Sequence, residues 1–321
     1  MQKKSRKIAI VGVGHVGSHC GLALLREQLS DELILVDIDR EKAESQAEDL
    51  RDTLPHLPRS ALIQTGEYQD CAEADIIVLS AGVQPRKGMT RPEMLWETLP
   101  IMDTIVEPVV SSGFSGIFIV ISNPVDIISH YVWQKSGFSA NRVIGTGTAL
   151  DSARLRRILG SALNIAPANI NAFCMGEHGD SQMIPWSHVT VGDVPLKQYL
   201  ASLSGENTQP DLDAIAQQTS RAGYGIVNGK GATEFGIAAA LCKIVNAVFQ
   251  DSDSVLPVSA LLRGEYGQDA VYAGVPAVIG QDGVKAVLEL DLPPEEREKF
   301  ADSCSRIRSL LSELPDVQRR T

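Results

Sequence analysis

The sequence predicts an α/β protein, a doubly wound parallel sheet followed by an α+β domain, on three observations. Short β-branched apolar runs alternate with helix-length stretches over the first 150 residues. A glycine-rich turn joins the first run to the first helix, and after Gly147 the texture changes to helices followed by turn-punctuated strands.

The runs at 8–11, 33–36, 75–79, 117–121 and 142–144 lack polar alternation, as parallel strands covered by helices on both faces do. Between them, helices are expected at 16–28, 40–51 and 92–110. Beyond the change of texture, helices are expected at 150–163, 211–225 and 229–249, the last carrying Ala238-Ala239-Ala240. Strands follow at 255–262, 270–272 and 277–281, the last closed by Asp282-Gly283, and a charged helix covers 294–314. The division into domains falls near residue 145, giving 1–145 and 146–321.

A formal net charge of -11 argues against nucleic acid and anionic membrane surfaces as partners. No apolar run approaches the ~18–20 residues of a membrane span. The basic start Met1-Gln2-Lys3-Lys4-Ser5-Arg6-Lys7 leads into a strand broken by glycines, not into a signal-peptide core, so a cytoplasmic location is expected. Five cysteines, odd in number and without C-x-x-C spacing, indicate reduced buried thiols and no metal site.

Gly12-Val13-Gly14-His15-Val16-Gly17 is a G-x-G-x-x-G between a strand and a helix. In a chain with 27 glycines the spacing alone is weak, but Asp37 lies 20 residues past Gly17 at the end of the next expected strand. That context marks a Rossmann-type dinucleotide site. Gly12 permits the tight turn, Gly14 lets backbone approach a pyrophosphate, and Gly17 lets helix pack on strand. Asp37 suits ribose hydroxyls and repels a 2′-phosphate, so NAD is expected over NADP.

Four further segments carry chemistry. Ser80-Ala81-Gly82 leads into a loop holding Arg86, Lys87 and Arg91, and Ile121-Ser122-Asn123-Pro124-Val125-Asp126 ends another strand. Leu150-Asp151-Ser152-Ala153-Arg154 opens a helix, and Gly176-Glu177-His178-Gly179-Asp180 is a loop with one histidine. Singly, each has an ordinary explanation: a solvated i,i+3 ion pair, an exposed basic patch, a surface histidine. In this order they resemble the L-lactate/L-malate dehydrogenase family, almost end to end. The stretch 229–233, Gly-Lys-Gly-Ala-Thr, is similar to its lactate-type branch, and 225–231 to L-2-hydroxyisocaproate dehydrogenase.

The resemblance implies roles. His178 would exchange a proton with the oxygen of a 2-oxo/2-hydroxy acid, with Asp151 holding the ring and raising its pKa. Arg154 would grip the substrate carboxylate in a bidentate fork, and Arg91 would polarise the carbonyl from a closing loop. Asn123 and Thr233 would line the substrate pocket. NAD contacts would come from Gly12, Gly14, Val16, Gly17, Asp37, Lys42, Tyr68, Gly82, Val83, Thr104, Ser122, Asn123, Thr146 and Ile237. A homotetramer is also implied.

Two departures from the family pattern leave the substrate side chain open. The loop position six residues before Arg91, where lactate-type members carry Gln and malate-type members Arg, is Pro85, flanked by Gln84 and Arg86. Gly223 replaces the alanine that many lactate enzymes place before the residue corresponding to Tyr224, which enlarges the pocket. Pyruvate, bulkier 2-oxo acids and, with least support, oxaloacetate are the readings. For fructose 1,6-bisphosphate, Arg156 keeps the expected arginine but Asn171 replaces a histidine, so weak or absent activation is expected. Readings outside these dehydrogenases are a non-catalytic NAD sensor, which has no need of His178, Asp151, Arg154 and Arg91 together, and an NAD-dependent glycosidase, which needs metal ligands.

Overall fold

A computed structural model describes residues 5–83, 91–203 and 209–313, with only the backbone at 91 and 92. The first half winds as β1 (Lys7–Val11), α1 (His15–Arg26), β2 (Glu32–Val36), α2 (Arg40–Thr53), β3 (Leu62–Thr65), β4 (Ile76–Leu79), α3 (Arg91–Ser111), β5 (Ile117–Val120), α4 (Val125–Ser136) and β6 (Val143–Gly145). The six strands lie in the order β3-β2-β1-β4-β5-β6 and pair in parallel. The winding reverses between β1 and β4, the point at which doubly wound sheets form a crevice beyond the carboxyl ends of their strands.

Successive side chains of a strand point to opposite faces, and the core divides accordingly. Ala9, Val11, Ile77, Leu79, Phe118 and Val120 pack with α3 and α4 on one face. Ile8, Ile10, Ile76, Val78, Ile117 and Ile119 pack with α1 and α2 on the other. Continuous apolar runs thus arise because both faces are covered.

The second half comprises α5 (Ala149–Leu163), β7 (Ile170–Asn171), β8 (Thr190–Val191), β9 (Val194–Pro195), α6 (Leu196–Ser202), α7 (Leu212–Lys230), α8 (Phe235–Gln250), β10 (Ser254–Arg263), β11 (Asp269–Gly280), β12 (Gly283–Val287) and α9 (Pro294–Leu311). The large sheet continues into this half. β10 pairs antiparallel with β6 at Ser259 opposite Gly145, and β11 and β12 extend it to nine strands. A separate three-stranded sheet, β7-β8-β9, covers a third apolar cluster with α5.

Several elements differ from the sequence expectation. α4 went unforeseen because nine of its twelve residues are buried, which erases the amphipathic period. β3 is a short edge strand with two polar residues in Leu62-Ile63-Gln64-Thr65. The expected helix 229–249 starts only at Phe235, while α7 runs on to Lys230; the break falls at Gly231, whose φ of +91° suits glycine. The two strands expected at 270–272 and 277–281 are one, β11. Pro276 interrupts the pattern but sits opposite Pro257, where neither proline has an N–H to give the other. All five cysteines are buried and free. Among the described residues, no helix is long and apolar enough to cross a membrane.

Candidate active site

The nucleotide end of the crevice is made of backbone and space. Gly12, at φ +92°, lies so close to the end of β4 that a Cβ would come within 2.4 Å of the Ala81 nitrogen. A Cβ on Gly17 would meet the Gly12 carbonyl at 2.0 Å. Gly14 is the opposite case, since a Cβ there would find only the Lys42 ammonium, at 3.8 Å. Gly14 caps α1 with no side-chain hydrogen bond, and the first turn of α1 carries no acid. Uncapped N–H groups beside open space form a cradle that fits a pyrophosphate.

At the end of β2, the Asp37 carboxylate accepts from the Val13 nitrogen at 2.8 Å and the Asp39 nitrogen at 3.1 Å, with the Lys42 ammonium at 3.5 Å. A cavity of about 350 Å³ opens beside it, bordered by Ile38, Arg40, Thr65, Gly66, Glu67 and Asp70. Burial, then the Asp37 charge, pushes the Tyr68 phenol up, which puts Tyr68 in the field of Asp37. The remaining expected contacts gather at the other strand ends. Gly82 and Val83 follow β4, and the Ser122 hydroxyl donates to the Ala81 carbonyl at 2.5 Å, tying the end of β5 to that of β4. Asn123 follows, exposed, before a cis peptide to Pro124. Thr146, after β6, donates to the Val120 carbonyl at 3.2 Å. Val16 of α1 and Ile237 of α8 border one apolar cluster. Thr104 stands apart: it is exposed on α3, and its hydroxyl donates within that helix to Ile101.

The chemical end is made of buried charge. His178 Nδ1 and Asp151 Oδ2 are 2.5 Å apart, although 27 residues separate them in the chain. Asp151, in the first turn of α5, is 2 % exposed. Burial pushes its carboxyl up, but His178 and Arg154 more than offset this and hold it below the usual carboxylate range. Arg154, one turn on, donates from Nη1 to Asp151 Oδ1 at 3.0 Å. Its Nε is buried without a partner, so a buried guanidinium retains a donor for an incoming acceptor. A Cβ on Gly223 would lie 3.4 Å from Arg154 Nη2, and the glycine leaves that methyl-sized space open.

Thr233 lies on the connection from α7 to α8, half-buried. That connection is pinned to α1, because Glu234 pairs with Lys230 and stands 3.6 Å from His15 Nδ1. His15 and Glu234 escaped the sequence reading, although His15 lies inside the glycine motif. Ser259 escaped it too, and Asp126 was read only as the end of the 121–126 segment, with no role. The Asp126 carboxylate accepts from the His178 backbone nitrogen at 2.8 Å and from the Ser259 hydroxyl at 2.5 Å. An acid among Val125, Ile127 and Ile128, three residues after Asn123, is the signal that would have given Asp126 a role. The Arg91 side chain and the whole of Gln84, Pro85 and Arg86 lie outside the described residues.

Comparison with known proteins agrees with this geometry. The family described as lactate/malate dehydrogenase, NAD binding domain, matches residues 6–145, and its alpha/beta C-terminal domain matches 148–317. L-lactate dehydrogenase 3 of Bacillus thuringiensis is 43% identical over 314 residues, 98% of this chain and 99% of the relative. L-lactate dehydrogenase 1 of Staphylococcus aureus is 40% identical over 315 residues, with the same coverage. The ligand-bound structure of a minor L-lactate dehydrogenase from Enterococcus mundtii superimposes with a TM-score of 0.92 at 38% identity, covering 98% of this chain and 99% of that one. With a glycine-built cradle at one end and buried Asp151 and Arg154 beside a half-buried His178 at the other, the chain belongs to the lactate/malate dehydrogenase family of NAD-dependent oxidoreductases.

Proposed function

We propose that the protein is an L-lactate dehydrogenase, interconverting pyruvate and L-lactate with NAD. The observation that carries this reading is the 2.5 Å contact of His178 with Asp151 beside Arg154, whose buried Nε has no partner. When bound, NAD supplies the hydride acceptor or donor. The open face of Gly14 and the N-terminus of α1 suit its pyrophosphate, and Asp37 with Lys42 and Tyr68 suits its adenosine end. Val16, Gly82, Val83, Ser122, Asn123, Thr146 and Ile237 would line the path to the nicotinamide.

His178 holds the proton that the substrate oxygen receives on reduction and takes it back on oxidation. Asp151 bonds the other ring nitrogen, fixes the tautomer and favours the charged ring through the same coupling that lowers its own pKa. Arg154 receives the substrate carboxylate with guanidinium donors that Asp151 does not use, and Asn123 and Thr233 complete the pocket. By family resemblance, Arg91 polarises the carbonyl, Thr104 adds a minor cofactor contact, and the enzyme assembles as a homotetramer. Five buried free thiols suit a cytoplasmic location.

A second reading rests on Gly223. The space over the Arg154 guanidinium suits a bulkier 2-oxo acid, as in an L-2-hydroxyisocaproate dehydrogenase. NADH oxidation measured with pyruvate, 2-oxoisocaproate and oxaloacetate separates the readings by kcat/KM. Pyruvate is expected to lead. A lead for 2-oxoisocaproate favours the second reading, a lead for oxaloacetate overturns both, and turnover of none returns the chain to a sensor.

A further inference from the structure

Asp151 is not the only carboxylate that holds His178. Asp126 is 2 % exposed and occupies the first turn of α4, as Asp151 occupies the first turn of α5, so both carboxylates face helix N-termini that favour their charge. Its two oxygens are used by two donors from distant parts of the chain: the His178 backbone nitrogen, 52 residues on, and the Ser259 hydroxyl, 133 residues on. Ser259 sits on β10 where that strand pairs with Gly145 of β6. A chain of contacts therefore runs from the sheet, through Asp126, to the backbone of the histidine whose ring Asp151 grips.

We propose that Asp126 is a positioning residue: anchored to the sheet by Ser259, it fixes the His178 main chain so that the imidazole is presented to the substrate oxygen at the distance proton transfer requires. The inference rests on His178 being the proton donor. A carboxylate is acceptor-only when ionised, which matches two donors with none left over. Burial pushes Asp126 up to about 6, and the bonds from Ser259 and His178 act against it. The charged or titratable groups that face it are His178, Glu177 and, from α9, Cys304. An apolar side chain here would avoid the desolvation cost, but it would leave the His178 nitrogen and the Ser259 hydroxyl without their acceptor. Asp126 also lies three residues past Asn123 in the chain, so the segment that bears the exposed Asn123 and the histidine loop are joined through it.

The test compares Asp126→Ala, Asp126→Asn and Ser259→Ala with His178→Asn, reading pyruvate kcat, pyruvate KM and NADH affinity. Asparagine can still accept from His178 with its oxygen and donate to Ser259 with its amide, whereas alanine does neither. Asp126→Ala is expected to lose about 10–100-fold in kcat with NADH affinity unchanged, since small misplacement of a reacting group is costly. Asp126→Asn should recover most of that loss, and Ser259→Ala should fall between. If Asp126→Ala proves insoluble, Ser259→Ala decides: wild-type kcat in it overturns the proposal. So does a folded Asp126→Ala with wild-type kcat, or an Asp126→Asn that loses as much as alanine. Full turnover in His178→Asn would instead overturn the underlying reading of the active site.

Discussion

The two ends of the crevice are built on opposite principles. The nucleotide end works by absence: Gly12 and Gly17 have no room for a methyl group, and Gly14 keeps a space clear beside uncapped N–H groups. The chemical end works by concentration, with Asp126, Asp151 and Arg154 all buried around one histidine. Absence tolerates no added atom but asks for little chemistry. Concentrated charge tolerates conservative shape changes but no uncompensated loss of a partner. The first end therefore answers to substitutions by space, and the second to substitutions by charge.

Gly17→Ala should show the largest effect on stability, about 3 kcal/mol, because the added carbon would sit 2.0 Å from the Gly12 carbonyl and backbone must move. A denaturation midpoint measures it, and a wild-type midpoint would break the argument from space. His130→Phe sharpens the argument from charge. His130 is buried between Trp133 and Tyr272, and its Nδ1 has no partner, unlike the paired Asp151. Burial pushes it down to about 4, so it stays neutral in the fold while the unfolded chain takes up a proton below about 6.5. The stability it leaves intact above pH 6.5 is lost as pH falls. Between pH 6.5 and 5 that loss is about 2 kcal/mol, and the phenylalanine variant should be spared it. Equal acid sensitivity of the two proteins would contradict the account.

Gly14→Ala should leave stability within about 1 kcal/mol of wild type, yet weaken NADH binding at least about tenfold, because its methyl enters the phosphate cradle. Fluorescence titration with NADH checks it, and unchanged affinity would place the pyrophosphate elsewhere. Gly223→Ala should act least. The new methyl makes ordinary contact with Arg154 at 3.4 Å, and the ratio of kcat/KM for 2-oxoisocaproate over pyruvate should fall about tenfold. No change in that ratio would mean the space over Arg154 does not select the substrate.

The same contrast governs what could be read from the amino-acid order. The local structure of the glycine end was legible from spacing, because a strand, three glycines, a helix and an acid are all neighbours in the chain. The five strands expected in the first half correspond to β1, β2, β4, β5 and β6 for the same reason: apolar runs covered on both faces announce themselves. What local pattern hid was either short and polar, as β3, or buried on nearly every face, as α4. The chemical end could not be assembled from spacing at all. His178 meets Asp151 across 27 residues and Asp126 across 52, and only the family resemblance brought His178, Asp151 and Arg154 together in advance. Asp126 stood in a segment singled out from the sequence but was given no role there, and its contact with Ser259, across 133 residues, emerged from the fold alone.

The separation of the two ends is tested most directly by His178→Asn, with NADH affinity and pyruvate turnover measured on the same preparation. The account predicts affinity within about twofold of wild type and kcat lower by about 10³-fold, the loss expected when a positioned general acid is removed. Wild-type turnover, or a loss of NADH binding that parallels the loss of turnover, would contradict it.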